Sequence, residues 1–92
     1  MTPEGETKRE LKKFLDEWGA YYFMPVQNGY GKSSLDFLVC HAGCFYGLEA
    51  KRRGVTKPSA RQALTMAEMR KAGAKTYVVT LDERDNLVWV KQ

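Results

Sequence analysis

Histidine and cysteine are scarce in this sequence, with one of the former and two of the latter in 92 residues. Two cysteines cannot make the disulfide framework of a small secreted domain. Cys40, His41 and Cys44 crowd one turn, but a structural zinc needs a fourth ligand and the chain holds no further Cys or His. Small apolar cysteines at a hairpin end are the expectation. Long apolar runs are missing too, so no segment is expected to span a bilayer, and the charged N-terminus lacks the apolar stretch of a signal peptide. The expected location is the cytoplasm. No stretch is low-complexity, and the length leaves no room for a second core, so residues 1–92 are read as one domain. The triplet Gly31-Lys32-Ser33 resembles the end of a P-loop, but that motif's first glycine would fall at Val26 and no helix follows. Nucleotide binding of that kind is excluded.

What the chain does have is clustered charge. The net charge is +4, and Lys51, Arg52, Arg53, Lys57 and Arg61 fall within a dozen residues, a concentration that suits a polyanion.

Local signals predict the order helix, three strands, helix, two strands. Thr2-Pro3 reads as an N-cap with proline in the first turn, Leu11, Phe14, Leu15 and Trp18 recur on one helical face, and Gly19 is placed to end the helix. Lys8, Arg9, Lys12 and Lys13 lie largely off that stripe and read as a solvated face. Strands are expected at 20–26, stopped near Pro25, then at 35–41 and 44–52, the last two joined by a tight turn at Ala42-Gly43. Pro58-Ser59 opens a second helix, with Ala60, Ala63, Leu64 and Ala67 as its apolar stripe, Met66 and Met69 beside or beyond that stripe, and Gly73 as its stop. Strands at 75–81 and 87–90 close the chain. A right-handed crossover would make the strands on either side of the second helix parallel in a mixed sheet.

The sharpest feature is Glu49-Ala50-Lys51. In a strand Glu49 and Lys51 project from the same face, and Asp36, at the head of the preceding strand, can face them across the hairpin. Paired carboxylates beside an ammonium suit a divalent cation and a phosphodiester. Mg²⁺ or Mn²⁺ takes one or two carboxylates and keeps several waters, which Asp36 and Glu49 would satisfy. Lys51 could orient or deprotonate the attacking water, or stabilise charge on the phosphate. Glu4 and Glu6 could supply a further carboxylate, although acids in a first turn also suit the helix dipole. Gln62, one turn into the second helix, could reach the lysine or a phosphate, and Lys32 with Tyr30 in the 27–34 loop could lie along a DNA backbone. An exposed helical amide and a plain connecting loop are the alternatives.

Taken together, the run 19–26, the Gly29-to-Ser33 loop, Leu35-Asp36-Phe37, Glu49-Ala50-Lys51 and Arg61-Gln62, in that order, resemble the PD-(D/E)xK nuclease superfamily and within it the small VRR-NUC domain. Leu35 stands where the superfamily pattern has proline. The resemblance implies an α/β fold with an αβββαβ core, a mixed sheet flanked by helices, and an extra C-terminal strand. It implies Asp36 and Glu49 as metal ligands with the Ala50 carbonyl beside them, Lys51 as catalytic lysine, Glu4 as the helix acid, reaching the metal through water, and Gln62 as a supporting amide. Arg52, Arg53, Lys57 and Arg61 would contact DNA. The activity implied is a Mg²⁺- or Mn²⁺-dependent DNA endonuclease resembling homodimeric Holliday junction resolvases of phages and their hosts. The rival readings are a non-catalytic DNA-binding module and a nuclease for ordinary duplex.

Overall fold

The computed structural model describes residues 1–26 and 31–92. Helix α1 (Pro3–Trp18) begins as its local signals require: the Thr2 hydroxyl accepts from the Gly5 N–H at 3.0 Å, Pro3 occupies the first turn, and Gly19 closes the helix at φ 75°. Strands β1 (Tyr21–Phe23), β2 (Phe37–His41) and β3 (Cys44–Ala50) form an antiparallel meander. The β2–β3 register is set by a two-residue turn in which Ala42 and Gly43 both have positive φ, the geometry that matches strand twist. Helix α2 (Ala60–Lys71) crosses to β4 (Lys75–Leu81), which pairs parallel with β3, and β5 (Leu87–Lys91) pairs antiparallel with β4. The sheet order is β1-β2-β3-β4-β5. Among the described residues, no helix is long and apolar enough to cross a membrane.

The helices take opposite faces of the sheet. On one face, Leu11 and Leu15 of α1 pack on Phe37, Val39, Leu48, Ala50 and Val79, all buried. On the other, Met66 of α2 packs with Leu35 and Val78, and Met69 adjoins them. Burying side chains of this size is worth about 1.5–3 kcal/mol each.

The buried face of α2 is not the predicted one. Ala60, Ala63, Leu64 and Ala67 are exposed, Leu64 to 73%, whereas Met66 is fully buried. Both faces are apolar, but alanines release little free energy on burial, and the sheet offers a notch for methionine: a Cβ on Gly47 would lie 2.5 Å from Met69 Cε. Three strands are shorter than expected. Pro25 lacks the N–H that would extend β1. At the head of β2, Leu35 instead turns its side chain into the α2 cluster. Past Ala50 the chain turns through Gly54 at φ 83°, held by Gly54 N–H donating to Thr80 Oγ1 and Thr80 Oγ1 donating to the Arg52 carbonyl.

Candidate active site

The strand register places Asp36 across from Glu49, and the backbone locks both. The Asp36 N–H donates to Glu49 Oε1 at 3.2 Å, and the Ala50 N–H donates to Asp36 Oδ2 at 3.0 Å. Each carboxyl is thus gripped by the other residue's strand. From α2, Gln62 Nε2 donates to Glu49 Oε2 at 2.8 Å. The same Gln62 is the third residue of a capping box: its Oε1 accepts from the Ser59 N–H at 2.9 Å, and its own N–H donates to Ser59 Oγ at 3.2 Å. Both ends of the amide are committed, which fixes which way it faces Glu49.

Glu49 is 4% exposed. Burial pushes its carboxyl up from 4.5 to about 8, and the Asp36 carboxyl adds to this through its charge and a shared hydrogen bond. The Asp36 N–H and the Lys51 charge pull the other way without overcoming it. Two acids this close are at odds unless a proton or a cation lies between them. Among the described residues no group of three or more His, Cys, Asp or Glu could hold a metal ion. The pair nonetheless fits Mg²⁺ or Mn²⁺, which favours oxygen donors, needs one or two carboxylates and fills its remaining positions with water.

The N-terminal half of α1 overlies the end of β3. Thr7, fully buried, donates its hydroxyl to the Lys51 carbonyl at 2.8 Å, and the Lys51 N–H donates to the Val79 carbonyl at 2.9 Å. Lys8 Nζ lies 3.7 Å from both Asp36 Oδ1 and Glu4 Oε2. Glu4 therefore meets the acidic pair through Lys8, whereas Glu6 turns to Arg53 at 3.7 Å. Lys8 and Thr7 are the residues that sequence reasoning missed. By its position off the apolar stripe Lys8 reads as part of a solvated face, yet it stands one turn after Glu4. Thr7 sits one turn before Leu11 on the buried stripe, and that spacing is the signal that could have found it.

The basic residues divide. Arg53 is held by the Asp82 carbonyl, by Asp85 and by Glu6. Lys32 pairs with Glu68 at 2.6 Å, and Arg61 Nε donates to Ser33 Oγ at 3.1 Å. Arg52 and Lys57 are exposed. Tyr30 lies outside the described residues. Both cysteines are free thiols, and His41 stacks on Trp18 with ring centroids 3.6 Å apart.

No family model matches the chain, and no curated protein does. Among solved structures the chain is similar to one described as a VRR_NUC domain, at 26% identity and TM-score 0.71, over 85% of this chain and 84% of that one. It is also similar to Hjc, a Holliday junction resolvase from the archaeal hyperthermophile Archaeoglobus fulgidus, at 20% identity and TM-score 0.72, over 95% of this chain and 75% of that one. The mixed five-stranded sheet between two helices is thus the VRR-NUC and Hjc-like nuclease fold, as the sequence resemblance implied.

Proposed function

We propose that this chain, with its VRR-NUC and Hjc-like nuclease fold, is a divalent-metal-dependent endonuclease that hydrolyses phosphodiester bonds in branched DNA, four-way junctions among them. The observation that carries this reading is the facing pair of Asp36 and Glu49, one nearly buried and both gripped by backbone N–H groups. An ion pair between Glu49 and Lys51 has no use for Asp36. A module that only binds DNA gains nothing from facing carboxyls, which repel each other and the phosphates unless a cation intervenes.

In this proposal Asp36 and Glu49 hold Mg²⁺ or Mn²⁺, with the Ala50 carbonyl as a further ligand and Glu4 contributing through water. When bound, the cation supplies charge neutralisation at the phosphodiester and eases deprotonation of water near neutral pH. The chain's own residues do the rest. Gln62 fixes the Glu49 carboxylate, and the Ala50 N–H fixes that of Asp36. Lys51 orients or deprotonates the attacking water, or stabilises charge building on the phosphate. Lys8 holds Asp36 and Glu4 in one group. Arg52, Lys57, Arg61, Lys32 and Tyr30 are the proposed phosphate contacts. Symmetric cutting of a junction needs two sites related by a twofold axis, so a homodimer is part of the proposal.

The test is incubation with labelled four-way junction, flap and linear duplex, with Mg²⁺ or Mn²⁺ and again with chelator. Metal-dependent cutting of the branched substrates ahead of duplex is expected. Binding with no metal-dependent product would leave a DNA-binding module, and equal cutting of duplex would remove the branched-DNA specificity. Asp36→Asn and Lys51→Ala should fold and bind DNA without cutting, because Asn can still accept the Ala50 N–H and Lys51 is anchored through its backbone.

A further inference from the structure

Helix α2 covers only part of its face of the sheet. Cross-strand partners share a face, and so do residues two apart along a strand. The register therefore sets out three rows on the α2 face. Asp36 and Glu49 form one row, Phe23, Leu38 and Gly47 the next, and Tyr21, Cys40 and Phe45 the third. At the rise of a strand, these rows are about 7 Å apart. The rings on them are bare, with Tyr21 77% exposed, Phe23 58% and Phe45 46%. A groove of about 480 Å³ runs between this surface and α2, floored by Leu38, Phe45 and Met69 and rimmed by Lys32, Ser33 and Lys71. Glu68 also stands on the rim, paired with Lys32.

We propose that Tyr21, Phe23 and Phe45 form a stacking platform for unpaired nucleotides, continuous with the Asp36–Glu49 site on the same face of the sheet. This deepens the nuclease reading and rests on it for the identity of the neighbouring site. The platform lies about 7–14 Å from the carboxylate row, a span of about two to four nucleotides at the 3.4 Å rise of a stacked strand. Duplex DNA presents base edges and phosphates, whereas exposed rings offer flat faces that only an unpaired base can use. Lys71 on the groove rim, and Lys32 when it exchanges Glu68 for a phosphate, suit the backbone of such a strand. A second copy of the chain is the other apolar occupant, and the test separates it by subunit state. The platform adds affinity where a single-stranded segment lies beside the scissile bond, as in a flap or gapped branch, and adds none for a fully paired four-way junction.

The test is binding of a labelled oligo-dT strand, of about 4–16 nucleotides, in chelator so that no cutting intervenes, with blunt duplex alongside. Tyr21→Ala, Phe23→Ala and Phe45→Ala should each weaken oligo-dT binding about 5- to 150-fold and leave duplex binding within about twofold, while Phe23→Trp retains affinity. Circular dichroism and sedimentation check fold and subunit state. Unchanged oligo-dT affinity in all three alanine variants overturns the platform, as does a wild-type protein that does not bind oligo-dT. Variants that change subunit state and not affinity overturn it in favour of a subunit contact. Wild-type activity separates the two readings: oligo-dT binding by a wild-type protein that cuts no DNA with Mg²⁺ or Mn²⁺ supports the platform while the nuclease reading fails.

Discussion

Removing divalent cations should make the stability of this protein fall steeply as pH rises from 5 to 8. The Glu49 carboxyl is raised from 4.5 to about 8 in the fold, so between those values the folded state holds a proton that the unfolded chain has released. Stability from this group is therefore fully present below about pH 4.5 and is lost as pH rises through about 8. At about 1.4 kcal/mol per pH unit the whole interval corresponds to about 5 kcal/mol. A domain of this length holds roughly 5–14 kcal/mol in total. Even half of the effect lowers Tm by about 10–20 °C, at about 4–8 °C per kcal/mol. Calorimetry or thermal circular dichroism in chelator at pH 5, 6, 7 and 8 measures it. Saturating Mg²⁺ or Mn²⁺ should flatten the dependence, because a cation favours the ionised carboxylate and binds only the folded state. Glu49→Gln should flatten it without metal, since the amide cannot ionise and its oxygen can still accept from Gln62. A metal-free Tm that is the same at pH 5 and 8 would refute the reasoning, and so would a Glu49→Gln variant that declines in parallel with the wild type.

Gln62→Ala removes both the Glu49 contact and half of the capping box, so it should cost about 1–3 kcal/mol, more than Ser59→Ala at about 1 kcal/mol. Equal losses in chemical denaturation would mean that the bond to Glu49 contributes nothing. Gly47→Ala drives a methyl group into Met69 and should destabilise by about 1–3 kcal/mol, with Met69→Ala in the same chain recovering part of the loss. Strict additivity in that double-mutant cycle would rule out the contact. Replacing Arg52 and Lys57 by alanine should weaken DNA binding and reduce the salt slope by about 0.9 for each phosphate that is no longer neutralised. Arg53→Ala, which breaks the bonds to Asp82, Asp85 and Glu6, should instead act on stability. A salt slope that changes with Arg53 and not with the other two would reverse this division.

Short-range chemistry carried most of the architecture. Thr2, Pro3 and Gly19 bound α1 because caps act within a turn, and the tight Ala42-Gly43 turn sets a register that brings Asp36 opposite Glu49. The parallel pairing of β3 and β4 follows from the handedness of a crossover. The resemblance in motif order led to the fold. What the sequence by itself determined was therefore the element order, the sheet type and the facing carboxyls, all of which depend on neighbours near in the chain or on one hairpin. Only the tertiary structure decided which face of α2 goes inward, because periodicity cannot choose between an alanine–leucine stripe and a methionine stripe. The choice rests on the notch at Gly47 and on the reach of Gln62 to Glu49, both made by strands remote from the helix. The same holds for Lys8 and Thr7. Their partners, Asp36 and the Lys51 carbonyl, lie 28 and 44 residues away, and come within reach only once α1 is laid across the end of β3.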